Sequence, residues 1–311
     1  MTAPSKAQSK TIKIGSRKSR LALWQTRHVA ALMEEAHDDL DVEIVTMDTL
    51  GDKILDKSLP EIGGKGIFTA ELEQALMSDA IDLAVHSLKD LPTDLPEGLK
   101  YAGSPERATA TDSLISTKWS CIDELPEDAI IATGSIRRRA ELLARHPTFE
   151  FRDLRGNIGT RLEKLDKHGF DAIVMATAAL ERLEMHDTIT CELPADQYVP
   201  AVGQGAIGIE IREGREDVEA LLAPILHEET VAAVTAERVV MNRLEGGCSV
   251  PLGAHCRRTD DGGWRLDAWV GSKDGQRVLH ETLTGDDPRA MADEAVATLV
   301  DKGARSILGH E

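Results

Sequence analysis

Residues 11–49, TIKIGSRKSRLALWQTRHVAALMEEAHDDLDVEIVTMDT, set out the architecture. TIKIG reads as a short strand, RLALWQTRHVAALMEEAH carries apolar residues at helical spacing, and DVEIVTMDT returns to a strand pattern. Strand, amphipathic helix and strand in that order form a βαβ unit, which implies a parallel sheet with a helical crossover. The rhythm continues outward. GIFTAELEQALMSD reads as a helix and IDLAVHS as a fully buried strand. After the Pro-rich turn LPTDLPEG the pattern restarts with the strand AIIATGS, the helix IRRRAELLARH, the strand FEFRDLRG, the helix GTRLEKLDKH, the strand FDAIVMAT and the helix AALERLEM. Two similar α/β units therefore follow one another without a strong sequence repeat.

YVPAVGQGAIGIEIRE is strand-like, punctuated by glycine, and able to cross back to the first unit. Beyond about residue 216 the character changes. HEETVAAVTAERVVMNRL predicts a long helix with Ala233, Ala236, Val240 and Leu244 on one stripe. The strand patterns WRLDAWVGS and RVLHETLTG follow, then one last helix over PRAMADEAVATLVDKGARSIL, which together predict a small α+β domain. The polar residues 1–10 are expected to be disordered.

Composition narrows the function. The chain has 311 residues, 41% of them hydrophobic but only 3% aromatic, so the cores must be aliphatic. No secretory signal or bilayer-length apolar run is visible, and four scattered cysteines form no disulfide framework, which points to a reducing cytoplasm. A net charge of −18 argues against nucleic acid or an anionic membrane as partner. Between Gly134 and Arg161, however, seven arginines face three acids, a local excess of +4. For Arg139 and Arg145 a solvated helix face accounts for the charge.

Ligands of open α/β sheets collect at the carboxyl ends of the strands. Arg17 and Ser19 lie at one such junction, in GSRKSRLALWQ. GGKGIF, residues 63–68, carries Lys65 but lacks nucleotide-loop spacing, so it reads equally as an ordinary loop. In ATGSIRRRAEL, Ser135 suits a helix cap, while Arg137 and Arg138 fall in the first helical turn, where the dipole disfavours cations by a few tenths to about 1 kcal/mol. Bound anions would offset that cost. LRGNIGTRLEKL repeats the oddity with Arg155 at a strand end and Arg161 in the next first turn. The pair of junctions predicts a substrate with several carboxylates or phosphates. In HSLKDLP, Asp90 follows a buried strand beside Lys89; it can cap a turn, exchange protons or stabilise a cation on a substrate. His86 continues the strand and reads as buried and hydrogen-bonded.

Cys248, in RLEGGCSVPLG (243–253), follows a predicted helix end at which Gly246 or Gly247 suits the left-handed position. The dipole there does not activate a thiol. Zinc binding with His255 and Cys256 matches no common spacing and lacks an obvious fourth ligand. A buried structural cysteine is the ordinary reading of one Cys. The flanking glycines favour a closely approached backbone, where a sulfur can serve as a permanent covalent anchor.

From Ile12 to Leu308 the chain resembles the porphobilinogen deaminase (hydroxymethylbilane synthase) family, through SRKSRLALWQ, GGKGIFTAELE, DLAVHSLKDLP, TGSIRRRAEL, LRGNIGTRLEKL, YVPAVGQGAIGIE and TAERVVMNRLEGGCSVPLGA in that order. The resemblance implies two hinged α/β domains like type II periplasmic binding proteins, plus a small α+β C-terminal domain. The corresponding limits are 11–105 with 200–222, then 106–199, then 223–311. It implies a transferase of tetrapyrrole biosynthesis that condenses four porphobilinogen molecules onto a dipyrromethane cofactor, releases ammonia each time, and frees hydroxymethylbilane by hydrolysis. Cys248 would hold the cofactor as a thioether. Asp90 would stabilise the azafulvene cation left by ammonia and assist proton transfer. Lys89, Thr133, Ser135, Arg137, Arg138 and Arg155 would hold cofactor, Arg17, Ser19, Arg161, Arg182 and Gln204 substrate, and Lys65 would ride on a covering loop. No metal is expected, and the expected state is a cytoplasmic monomer. Thr111 stands where relatives often carry an arginine, and Arg20 where many carry proline or lysine; Lys18 also varies. A solute-binding module would predict a secretion signal and no special cysteine, and a nucleic-acid binder conflicts with the overall charge.

Overall fold

A computed structural model describes residues 10–53, 66–246 and 250–309. Residues 1–9 of the expected disordered segment, together with Lys65, Gly247 and Cys248, lie outside the described residues.

The first unit comprises β1 (Lys10–Arg17), α1 (Arg20–Ala36), β2 (Leu40–Met47), the single turn α2 (Leu50–Lys53), α3 (Ala70–Met77), β3 (Leu83–Ser87) and β4 (Leu99–Gly103). The second comprises β5 (Asp112–Ile115), β6 (Ile130–Ala132), α4 (Ile136–Arg145), β7 (Glu150–Arg152), α5 (Ile158–Lys167), β8 (Ala172–Ala176), α6 (Thr177–Arg182) and β9 (Cys191–Leu193). The chain then returns to the first sheet with β10 (Ile207–Arg212), followed by α7 (Glu216–Leu222). A third unit contains α8 (Glu228–Arg243), β11 (Leu252–Arg258), β12 (Trp264–Gly271), β13 (Val278–Gly285), α9 (Pro288–Asp301) and α10 (Ala304–Leu308).

The two larger sheets share one plan, with strand orders β2-β1-β3-β10-β4 and β7-β6-β8-β5-β9. In each, three parallel strands are followed by a strand entered from a crossover, which runs antiparallel to both neighbours. The sheets are therefore mixed rather than parallel. The crossovers, residues 104–111 and 194–206, deliver β5 and β10 from the opposite direction. Two α/β units and a small α+β unit, the expected fold class, make up the described chain.

Packing follows the aliphatic composition. Ile12, Ile14, Val29, Met33, Leu83 and Ile209 fill the first core, and Leu114, Ile131, Leu142 and Val174 the second. In the third unit the predicted stripe Ala233, Ala236, Val240 and Leu244 packs on Leu252, Leu266 and Ala268 of the three-stranded sheet. The last helix is two helices, because Gly303 adopts φ +92° between them. Glu237 of α8 fastens this unit to both crossovers: it pairs with Arg107 at 2.6 Å and accepts from the Gly203 backbone N–H at 2.8 Å. Its other oxygen also takes the Cys256 N–H at 2.8 Å.

Helix α8 ends differently from the expectation. Glu245, not Gly246, takes the left-handed conformation (φ +52°). The Gly246 N–H then reaches back to the Met241 carbonyl at 2.7 Å, as in a Schellman end. Gly246 is needed for a different reason: a Cβ there would sit 3.0 Å from that carbonyl and 3.1 Å from Leu252.

Candidate active site

The carboxyl ends of β1 and β3 lie on one edge of the first sheet because the strands are parallel, and those of β6, β7 and β8 on one edge of the second. Nearly every described candidate sits at one of these edges. Arg17 is the last residue of β1, and Ser19 caps α1 by accepting from the Ala22 N–H at 3.2 Å. β3 runs directly into a 3₁₀ turn, Leu88–Asp90, which swings Lys89 and Asp90 out of the sheet. On the second unit, Thr133 follows β6, Ser135 caps α4 and Arg161 lies in the first turn of α5.

A cleft in the first unit is lined by Arg17, Ser19, Gln25, Phe68, Thr69, His86, Ser87 and Asp90. The Arg17 guanidinium lies over the Phe68 ring, 4.3 Å from its centroid. Asp90 is close enough to Lys89 and to Arg161 of the other unit to favour the charged form of both. Burial lowers Lys89 to about 8, reinforced by Arg138 and opposed by Asp90. Burial, with Arg138 and Arg155, lowers Arg161 to about 10. Among the described residues Arg161 makes one side-chain hydrogen bond, to the Gly156 carbonyl at 2.8 Å, and no ion pair. These are partly desolvated cations with incomplete counter-charge, the electrostatic signature of an anion site.

Arg137 and Arg138 behave differently. The counter-charge in their helical turn comes from the chain itself. Arg137 bonds Asp112 at 2.7 Å, Glu141 at 2.6 Å and the Val199 carbonyl at 2.8 Å. Arg138 holds the other Asp112 oxygen at 2.7 Å and 3.0 Å. Burial alone would raise Asp112, but the two guanidiniums outweigh it and hold the carboxyl well below the carboxylate range. Burial pushes Glu141 up to about 8, with Arg137 opposing.

Gln204 bridges the units. Its amide nitrogen donates to the Ala110 carbonyl at 2.7 Å and to Asp112 at 2.8 Å, and its oxygen accepts from Lys89 at 3.3 Å and Arg138 at 3.4 Å. The glycines beside it are dictated by crowding. Gly205 has φ +84°, and a Cβ there would meet the Ala108 carbonyl at 2.4 Å. Arg182, the last residue of α6, donates to the Gly205 carbonyl at 2.7 Å. Burial lowers it to about 10, with Glu181 opposing.

The structure thus gathers Asp90, Lys89, Arg17 and Ser19 on one side, Arg161 opposite, and Gln204 between the units. Thr133 and Ser135 share a turn in which the Ser135 N–H donates to the Thr133 hydroxyl at 3.2 Å. Asp112, Glu141, Arg107 and Glu237 were not singled out from sequence; the one available signal was a cation-rich helix start that needed acids from elsewhere. His86 is buried and bonded to Glu210 at 3.0 Å, in line with its reading as a core histidine. Thr111, in the place of an arginine, bonds Thr177 at 2.9 Å and Glu192 at 2.7 Å. His255 and Cys256 are successive residues of β11, so their side chains point to opposite faces and cannot share a metal. Among the described residues no cluster with metal-ligating composition occurs, and no helix is long and apolar enough to cross a membrane.

Two α/β units joined by two crossovers, with Asp90 of one within electrostatic reach of Arg161 of the other, define a two-domain cleft protein. Residues 12–220 match the model described as porphobilinogen deaminase, dipyromethane cofactor binding domain, and residues 231–301 that of the porphobilinogen deaminase C-terminal domain. A porphobilinogen deaminase from Chromobacterium violaceum is 46% identical over 299 residues, 96% of each chain. The chain belongs to the porphobilinogen deaminase family, and residues 12–220 form that family's dipyrromethane-cofactor domain. Solved structures with a more distant likeness include the methionine binding protein MetQ, at 15% identity and TM-score 0.43 over 71% of this chain and 91% of that one. Another is an ABC transporter periplasmic substrate-binding protein from Coxiella burnetii, at 12% identity and TM-score 0.44 over 73% and 96%.

Proposed function

We propose that the chain is a porphobilinogen deaminase: a transferase that condenses four porphobilinogen molecules in turn, releasing ammonia at each step, and then frees hydroxymethylbilane by hydrolysis. The observation that carries the reading is Asp90, set at the end of β3 where it faces Lys89 and the Arg161 of the opposite unit. Each porphobilinogen ring carries an acetate and a propionate, and loss of ammonia makes the ring cationic. The site offers what both features need, cations for the arms and one carboxylate for the ring.

The donor set suits a dipyrromethane, a polyanion of the same chemistry: Arg161 and Lys89 are desolvated cations with incomplete counter-charge. When bound through Cys248, that group supplies the nucleophilic pyrrole carbon to which substrate is added. Lys89, Thr133, Ser135, Arg137, Arg138 and Arg155 are assigned to its arms, Arg137 and Arg138 being held in place by Asp112 and Glu141. Arg17, Ser19, Arg161, Arg182 and Gln204 are assigned to substrate, and Lys65 to a covering loop. Asp90 lies against the reacting ring, lowers the energy of developing positive charge and accepts the ring proton. The domain limits 11–105 with 200–222, 106–199 and 223–311 are proposed with the pairing of β10 to β3 in their favour. A cytoplasmic monomer completes the proposal. The test is incubation of the purified protein with porphobilinogen: stoichiometric ammonia and a linear tetrapyrrole, read as porphyrin absorbance after cyclisation and oxidation, are expected. Unchanged porphobilinogen refutes the reading.

A further inference from the structure

A second concavity lies around α1 from the Asp90 cleft. Arg20, Leu23, Trp24 and Arg27 recur at i, i+3, i+4 and i+7, so they form one stripe of the helix, and Arg182 and Leu183 from the other unit close the space above them. Ala22 and Gln25, on the neighbouring stripe, face the Asp90 cleft. The two concavities therefore share α1 as a common wall.

Its construction is specific. Trp24 forms an aromatic wall, stacked on His28 with centroids 5.1 Å apart, and the Arg182 guanidinium lies 5.6 Å from the Trp24 ring centre. Arg182 is only 7% exposed, yet among the described residues it has no ion pair and its guanidinium donates to a backbone carbonyl. Arg20 and Arg27 are exposed at the mouth, with no ion pair or side-chain hydrogen bond among the described residues. Three guanidiniums thus line a concavity with one aromatic side chain and one acid, Glu184, while Glu181 lies close enough to Arg182 to favour its charged form. A flat ring bearing carboxylates suits this lining, packing against the exposed part of Trp24 and pairing with the arginines.

We propose that this concavity is a carboxylate subsite for the arms of the lengthening pyrrole chain, used once the chain outgrows the Asp90 cleft. The proposal rests on the deaminase reading and extends it. The cations of the Asp90 cleft are fixed in number, whereas every added unit brings another acetate and propionate. A chain passing the N-terminus of α1 at Ser19 meets Arg20 next, then Trp24 and Arg27 along the same stripe.

The test is native mass spectrometry of the cofactor-bearing protein given limiting porphobilinogen, comparing the wild type with the R20A/R27A double variant, both changes being at exposed positions. The expected result is a selective loss of the complexes carrying three or four added units, about fivefold relative to the complex carrying one, as weakening of two exposed ion pairs allows. R20K/R27K, which keeps the charges, recovers most of the loss. A ladder identical to that of the wild type overturns the subsite, and so does a uniform loss at every length, which would place these arginines in initial substrate capture. Absence of any ladder from the wild type overturns the deaminase reading itself, and the subsite with it.

Discussion

The Lys89 ammonium donates to the side-chain oxygen of Gln204 at 3.3 Å. Through that contact the turn carrying Asp90 is joined to Asp112 of the second sheet, because the Gln204 amide nitrogen donates to Asp112 at 2.8 Å. The polar chain Lys89–Gln204–Asp112–Arg138 spans both units at the level of the reacting groups. It relates the position of the proposed catalytic carboxylate to the ion-paired arginines of the second unit.

Replacing Gln204 by Leu leaves the Ala110 carbonyl without its donor and removes the bridge to Lys89. The expected cost is about 1–3 kcal/mol of stability, typical of buried polar groups left unsatisfied. Urea unfolding measures it. A variant as stable as the wild type would show that the bridge is energetically idle.

Asp112 pairs with two buried guanidiniums, Arg137 at 2.7 Å and Arg138 at 2.7 Å, and Arg137 also pairs with Glu141 at 2.6 Å. Asp112→Ala strands the Arg138 charge and leaves Arg137 with Glu141 alone, and is expected to cost about 3–5 kcal/mol, the usual penalty for breaking a buried ion pair. Chemical denaturation of the purified variant checks this, and a loss below about 1 kcal/mol, the range of exposed pairs, would contradict the buried-pair account.

Lys89 is charged below about 8 in the free enzyme, because burial has lowered it from 10.5. Its attraction for substrate carboxylates is therefore present at neutral pH and lost as pH rises through that value, so kcat/KM should fall on the alkaline side. Stability moves the other way: between about 8 and 10.5 the unfolded chain binds more protons at this residue, so the contribution of Lys89 to stability rises with pH across that window. Lys89→Arg keeps the charge and should remove the fall in kcat/KM from this range. A K89R profile superimposable on the wild type would exclude Lys89 as its source.

Asp90→Asn keeps the shape of the side chain and removes its charge. The variant should fold and carry its cofactor but lose about 100- to 1,000-fold in kcat, the scale of removing one electrostatic stabiliser of a transition state. Steady-state ammonia release gives the number. A near-normal rate would take Asp90 out of the mechanism.

Much of this was legible along the chain, for physical reasons that also mark where legibility stopped. β1, α1 and β3 announced themselves because a long amphipathic helix between apolar runs has few alternatives. β4, β5 and β9 did not, since segments of three to five residues carry too little alternation to stand out. Arg137 and Arg138 were conspicuous as cations at a helix start, yet their partner Asp112 lies 25 residues earlier for Arg137 and 26 for Arg138, a pairing set only by the β5–β8 register. At the end of α8 the glycine pair drew the left-handed assignment, whereas Glu245 takes it and Gly246 answers to crowding.

The proposed mechanism requires Cys248 to carry the primer on its sulfur. The intact mass of the purified protein, expressed in a host that makes porphobilinogen, tests this most directly. A mass in excess of the chain by one dipyrromethane, absent from Cys248→Ser, is the predicted result. A wild-type chain at its bare sequence mass, or an adduct that survives in C248S, would contradict it.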